Sequence, residues 1–343
     1  MTDSPRRPIP GTPSHKKARI DALASTASAG TASGSAGGGV ATAVSDAGRV
    51  ASGEGVSLWM SAWRRLRRDW VFLIGAAIVV LFIVLAIVAP LIAPHDPATR
   101  VLIEQVHRQT NPVPGPQPGH PLGADYLGRD VLSRLMVGAR QTLIVGVLAT
   151  LGGLLGGMAL GTLAGAFGGW VDSVVMRVVD VLLSIPSLLM AFSIAAMFRS
   201  PSQWTVILAI AIVQVPVFAR LLRGSMLAQR HSDHVLAARA LGVRQGPIVF
   251  RHMLPNAMGP VIVQATLVLA TAIIDAAALS FLGLGNPDDR SPEWGQMLGN
   301  AQPYFDSHPH LAVYPALCII VVALGFTLVG ESLRESLDPK SRR

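Results

Sequence analysis

The chain carries too little charge to be wetted on all sides. Only 14% of its 343 residues are Asp, Glu, Lys or Arg, 51% are hydrophobic, and the mean hydropathy is +0.49. A soluble domain carries roughly 25% charged residues, so a water-soluble globular fold is excluded. There is one cysteine, Cys318, in an apolar run, which excludes an intrachain disulfide. The chain has no G-x-x-x-x-G-K-[ST] sequence, hence no loop to cradle a nucleotide phosphate. It also has no H-E-x-x-H sequence, no Cys/His cluster and no nucleophile with a base partner. No catalytic residue and no metal site is expected. His231 and His234 have helical spacing but sit among basic residues, and His308 and His310 read as loop residues. The net charge of +8 comes without any aromatic-plus-basic module, so nucleic acid is not an expected partner.

What is present is long apolar runs. Residues 1–55 are rich in Ala, Ser, Gly and Thr and read as a disordered cytoplasmic tail without a signal peptide. Residues 56–94 hold a basic amphipathic stretch and the first span. Trp59, Trp63 and Trp70 suit the headgroup level, and Arg64, Arg65, Arg67 and Arg68 suit anionic lipid. Six apolar runs, at 71–94, 142–168, 178–198, 203–222, 258–283 and 312–330, are each long enough to cross a core about 30 Å thick as helix. Helix is the expected form because lipid leaves no partner for unpaired backbone groups. Residues 95–139 are then an extracytoplasmic loop with an amphipathic segment, 140–335 the helical core, and 336–343 a short cytoplasmic tail.

Charge sets the expected orientation. The segment before the first span carries ten Lys or Arg against five acids. The fourth–fifth loop carries Arg220, Arg223, Arg230, Arg239, Arg244 and Arg251 against Asp233. The fifth–sixth loop carries Arg290 against Asp288, Asp289, Glu293 and Asp306. An even number of spans puts the basic segments and both termini on one side, the cytoplasmic one.

Three features stand out inside the membrane. Gly153, Gly157, Gly161, Gly165 and Gly169 recur every fourth residue, so a neighbouring helix can approach that face closely. That neighbour can belong to the same subunit or to a partner around a moving pore. Asp180 and Asp275 are costly in hydrocarbon and need a polar cavity, a helix end or a partner. For Asp180 the near candidate is Arg177, one turn earlier. Pro186 lies within the third run and predicts a kink.

The segment HSDHVLAARALGVRQGPIVFRHMLPN, residues 231–256, reads as two short helices in a loop of about 35 residues, far longer than a plain connector needs. Asp233 or Ser232 suits the first N-cap. Leu236, Ala240 and Leu241 make an apolar edge, Ala237 and Ala238 permit close approach, and Gly242 suits a left-handed stop. Pro247 suits the start of a second helix and Pro255 its end. The whole resembles a docking knob.

The spacing Ala237-Ala238, Gly242, Leu254-Pro255 resembles the EAA loop of ABC importer permeases, with Leu236 in place of the usual Glu and His252 in place of the usual Ile. HPLGADYLGRDVLSRLMVGAR (120–140), DSVVMRVVDVLLSIPSLLMA (172–191) and AALSFLGLGNPDDRSPEWGQML (277–298) resemble the C-type subunit of dipeptide, oligopeptide and nickel permeases. Together these blocks cover most of residues 70–335 in the expected order. Only the long N-terminal tail departs from the family, and Asp275 stands where Glu is more usual.

The resemblance implies an all-α integral membrane protein with six transmembrane helices in the type I importer (MetI-like) architecture. It implies a bacterial plasma-membrane protein that is no enzyme itself, with ATP and Mg bound by two separate D/F-type ATPase subunits. The other implied partners are a B-type permease subunit and a substrate-binding lipoprotein. The coupling surface is then Leu236, Ala237, Ala238, Arg239, Gly242, Arg244, Arg251, His252, Leu254 and Pro255. Asp180, Pro186 and Asp275 are pathway candidates, and Gly153, Gly157, Gly161 and Gly165 pack helices. Gly242→Pro and Ala238→Arg are expected to abolish coupled uptake and to spare membrane insertion. Nickel or another small solute is an alternative cargo. In a different class, the two aspartates would serve a proton-coupled carrier that needs no ATPase.

Overall fold

The computed structural model describes residues 63–107 and 109–337. The expected tail at 1–55, the start of the expected amphipathic stretch (56–62, with Trp59) and residues 338–343 of the expected tail at 336–343 lie outside the described residues, whereas residues 336 and 337 are the last of a helix. Among the described residues five helices are long and apolar enough to cross a membrane, or six if a bent pair is counted as one span.

Helix α1 (Trp70–Ile92) starts where the Asp69 carboxylate accepts the Val71 N–H at 2.9 Å, one of the donors a helix start leaves unpaired. Helix α2 (Val131–Phe167) runs 37 residues and begins well before the apolar run at 142. Its first turns are the amphipathic segment placed in the loop by the sequence; the Asp130 cap sets the start. It stops at Gly168, whose φ of +64° suits only glycine at low cost.

The third apolar run is a broken element. Helix α3 (Gly169–Leu183) and helix α4 (Ser187–Ala196) meet at 92°. Pro186 therefore does not kink a continuous helix, as its position within the apolar run predicts; it stands before α4 as its N-cap. It has no N–H to give, and its ring bars Ile185 from the helical region, so α3 ends and the chain turns.

Helix α5 (Gln203–Gln229) opens with a reciprocal cap between Ser202 and Thr205. Helix α6 (Asp233–Ala240) follows, then helix α7, which runs unbroken from Gln245 to Phe281. Pro255 does not end a short helix, contrary to the sequence expectation. A π-helical stretch, Ile248–Met253, precedes it, with the Leu254 N–H bonded to the Val249 carbonyl. The wider turn makes room for the proline ring and absorbs its missing donor. Helix α8 (Trp294–Asn300) and helix α9 (His310–Leu337) complete the chain.

The glycine face of α2 packs within the subunit, against α5. A Cβ on Gly153 would meet Gln214 Cβ at 2.6 Å, one on Gly161 the Ala219 carbonyl at 2.8 Å, and one on Gly165 Met226 Cβ at 2.9 Å; one on Gly157 would overlap Phe218. Backbone and side-chain stem fill the groove that glycine leaves. The alternative, a partner subunit on this face, is ruled out by α5 already occupying it. Gly169 is not part of the stripe, because it begins α3 with open space beside it. On the other side of the bundle, α1 lies along α9, with Gly75 against Leu328 and Gly325 against Ile78.

Candidate functional site: the α6 knob and the membrane cavity

Helix α6 is short and amphipathic in an unusual sense: its inner face is apolar and its outer face is partly apolar too. Val235 and Ala238 point inward and join Phe218, Leu222, Met226, Ile248, Val249 and Met253 in one buried cluster. The cluster ties α6 to α5 and to the π turn of α7, so the knob is seated on the helices it would have to move. Gln245 Nε2 also donates to the Ala166 carbonyl at 3.0 Å, linking the segment to the end of α2.

The end of α6 follows from Gly242, at φ +74°. The Gly242 N–H bonds to the Arg239 carbonyl at 2.9 Å and the Val243 N–H to the Ala238 carbonyl at 3.1 Å, the paired bonds of a Schellman stop. At the other end Ser232 is the N-cap, not Asp233, which stands in the first turn. The Ser232 hydroxyl donates to the Gln229 carbonyl and makes no cap bond.

The outward face carries Leu236, Ala237, Arg239 and Ala240, continued by Leu241 (83% exposed) and Phe250 (64% exposed). Arg244, Arg251 and Pro255 are exposed around it, while His252 and Leu254 are half-buried. Ala238 differs from its expected role: at 7% exposure it belongs to the seat and not to the surface. An arginine at 238 would have to bury its charge, so Ala238→Arg probes packing and not docking.

Within the membrane region, Asp180 pairs with Arg220 of α5 at 2.5 Å and not with Arg177. Both partners are more than half exposed, and the pair stands apart from the cavity described next. A second pair, missed in the sequence, is bidentate: Arg223 Nε and Nη2 each reach an Asp172 carboxylate oxygen at 2.6 Å. Nothing local signals it, because the partners are 51 positions apart.

Asp275 lines a cavity of about 360 Å³ together with Gln214, Gln264, Thr271 and Met190. Ile185 and Ser187, on either side of Pro186, line the same space. Of the three pathway candidates, Asp275 alone lines this cavity, and the two chain neighbours of Pro186 border it. Gln214 is buried on α5, and neither polar atom of its amide has a hydrogen-bond partner.

At the opposite end of α2, charged residues hold the loops together. Arg129 Nε donates to Asp125 at 2.7 Å, and both Arg129 and Arg134 donate to the Asp289 carbonyl at 3.0 Å. Arg134 also donates to the Pro97 carbonyl at 2.9 Å, so one buried guanidinium ties the 93–100 loop to the loop after α7. Trp294 is fully buried, with Nε1 donating to the Leu135 carbonyl at 2.9 Å. Beside it Glu293 is buried and accepts the Ser280 hydroxyl at 2.8 Å. Burial pushes the Glu293 carboxyl up to about 7, the Ser280 bond only partly opposing it.

A bundle of spanning helices, interrupted by a bent pair and carrying a seated short helix, is the architecture of a multi-span integral membrane protein. Residues 157–343 match the family described as the binding-protein-dependent transport system inner membrane component. Residues 57–112 match the N-terminal TM domain of oligopeptide transport permease C. A dipeptide transport system permease protein of Alkalihalophilus pseudofirmus is 41% identical over 84% of this chain and 91% of its own length. A glutathione transport system permease protein of Pectobacterium atrosepticum is 38% identical over 82% of this chain and 91% of its own. A solved inward-facing MetNI methionine ABC transporter has the same fold, with a TM-score of 0.50 at 19% identity, over 60% of this chain and 96% of that one. The chain belongs to the binding-protein-dependent transport inner membrane component family, and it is an integral membrane permease subunit of an ABC importer.

Proposed function

We propose that this subunit forms half of the translocation pathway of an importer for dipeptides or short oligopeptides. The observation that carries the reading is α6: a short helix seated on α5 and α7 by Val235 and Ala238, with Leu236 on it and Leu241 and Phe250 after it left exposed. Such a knob suits a groove on an ATPase subunit. Arg239, Arg244 and Arg251 surround it and would meet acidic groups there.

A sister permease of B type supplies the other half of the pathway. Two ATPase subunits bind ATP and Mg beneath it, and a lipoprotein delivers cargo on the far side. The basic segments and both termini lie on the cytoplasmic side with α6. ATP-driven closure of the ATPases pulls on α6, and the motion passes through the shared cluster to α5 and α7 as a rigid-body change between two packings. Asp275, Gln214 and the break at Pro186 line the path for the cargo. The peptide cargo is supported by the relatives, which are named for dipeptide and glutathione transport.

Purification of the chain from native membranes, with mass spectrometry of what comes with it, tests the reading. A sister permease, ATPases and a lipoprotein that binds dipeptides are expected. A lipoprotein that binds nickel would replace the cargo. A stable homo-oligomer without any ATPase, whose transport is lost in Asp275→Asn, would replace the mechanism with a proton-coupled carrier.

A further inference from the structure

Three potential metal ligands from separate stretches converge beside the first turn of α2, at the end of the molecule away from α6. His95 follows α1, His120 lies in the connecting loop, and Asp130 caps α2. His120 Nδ1 is 2.9 Å from one Asp130 carboxylate oxygen, and His95 Nδ1 is 3.9 Å from the other. The three donor atoms all lie within 4.8 Å of one another. The Asp130 side chain is wholly buried and His120 nearly so.

A buried His–Asp hydrogen bond alone needs no ligand to explain it. His95 is different. Its Nδ1 is buried without a hydrogen-bond partner, although its ring is stacked on His120 with centroids 4.3 Å apart. An unpaired buried ring nitrogen costs free energy that a ligand would recover. The surroundings are organised as well. The Ser133 hydroxyl donates to Asp130 at 2.7 Å and accepts the His95 N–H at 3.0 Å, so one side chain orients the carboxylate and holds the His95 backbone. Supporting bonds of this kind fix the first ligands of metal sites.

We propose that His95, His120 and Asp130 bind a divalent transition-metal ion of the zinc class. A tetrahedral ion at about 2.0–2.1 Å from nitrogen and oxygen spaces its ligands by roughly 3.3–3.5 Å. One ligand atom from each residue already lies within 4.8 Å of the others, so a small movement of the partly exposed His95 ring reaches that spacing. Two imidazoles and a carboxylate suit zinc, and disfavour magnesium and calcium, which take all-oxygen shells. Binding takes neutral His120 in its other tautomer: the proton leaves Nδ1, where it is shared with Asp130, and one is gained at Nε2 from solvent, so the Nδ1 lone pair is free for the metal with no net change in protonation. The His95 ring turns out of the stack toward the ion, which its position at the solvent edge allows. Water completes the shell. The ion then clips the end of α1 to the start of α2.

The test uses the full chain, purified in detergent and stripped with chelator, then titrated with zinc by calorimetry and counted by metal analysis. His95→Phe keeps a ring on the stack and removes the nitrogen; His95→Ala is the second variant. A double His231→Ala/His234→Ala variant removes the other histidine pair at helical spacing. One equivalent of zinc is expected, bound at least tenfold more weakly by both His95 variants and unchanged in the double variant. Cobalt(II) should give tetrahedral d–d bands in the parent chain that His95→Phe abolishes. Failure of the parent chain to retain zinc at micromolar concentration, or equal binding with and without His95, would overturn the proposal.

Discussion

Arg223 on α5 grips both carboxylate oxygens of Asp172 on α3, each at 2.6 Å. The fork of the guanidinium matches the carboxylate edge, which is the geometry in which such pairs are strong. The match exists only because the two helices are in register, so the pair reports on how α3 is docked. Arg223→Lys keeps the charge and loses the fork. It should destabilise the purified chain by about 1 kcal/mol, the size of one lost charge-assisted bond at a partly exposed site. Asp172→Asn should cost a similar amount. The exchanged pair Asp172→Arg/Arg223→Asp should recover part of the loss. Thermal unfolding in detergent measures all three, and equal stability of all the variants would show that α3 is held by packing alone.

The α2–α5 contact makes a sharper claim. Gly157 leaves no room for a side chain, because Phe218 Cβ and the Val215 carbonyl occupy the place a Cβ would take. Gly157→Val should therefore part the helices and lower stability by about 3 kcal/mol, the upper end for overpacking. Gly224, in the same α5 helix, has nothing within 4 Å of the place a methyl group would take. Gly224→Ala should be neutral or raise stability by up to about 1 kcal/mol, since it only restricts the unfolded chain. Comparable losses at the two positions would remove close helix approach as the explanation.

The spans are legible in the sequence because hydropathy reports directly on a lipid environment. The stop at Gly242 is legible too, because a left-handed helix end asks for glycine and the apolar edge before it fixes the frame. What the sequence hides are relations between distant positions. The glycine face shows that some helix comes close, but not that α5, some 60 positions on, is that helix. Arg177 looks like the partner of Asp180 because it is one turn away, while Arg220 reaches it across the bundle. An unbroken apolar run over 178–198 conceals a 92° turn, since hydropathy is blind to direction. Pro255 looks like a terminator because the local rule assumes an α-helix before it, and the π stretch sets that assumption aside. Ala238 passes for a surface residue because small size suits docking and tight internal packing equally.

The two faces of α6 separate docking from folding. Leu241→Asp places a charge on the outward face, where it meets only water in the isolated chain. It should leave thermal stability within about 0.5 kcal/mol, the range for surface substitutions. In the assembled transporter it should cut recovery of ATPase subunits and abolish coupled uptake. Ala238→Arg forces a cation into the Val235–Ile248–Met253 cluster and should unseat α6, costing several kcal/mol and lowering expression. Normal uptake by assembled Leu241→Asp would remove α6 as the coupling element, whereas loss of uptake by Ala238→Arg alone would say only that the seat matters.

Glu293 makes stability depend on pH near neutrality. Its carboxyl is buried beside Trp294, and burial raises it from an ordinary 4.5 to about 7 in the folded chain. The folded state therefore holds its proton more tightly than the unfolded state. The contribution is fully present below about pH 4.5 and is lost progressively as pH rises to about 7. At roughly 1.4 kcal/mol per pH unit the span amounts to about 3 kcal/mol. Glu293→Gln still offers an oxygen to the Ser280 hydroxyl and has no proton to lose, so it should flatten the curve in that window. Ser280→Ala should shift the window upward, because it removes the one hydrogen bond that favours the ionised carboxyl. Unfolding temperatures at pH 5 and pH 8 for the three chains decide the matter. The parent should lose several degrees more than Glu293→Gln between the two values, and parallel losses would place the titrating group elsewhere.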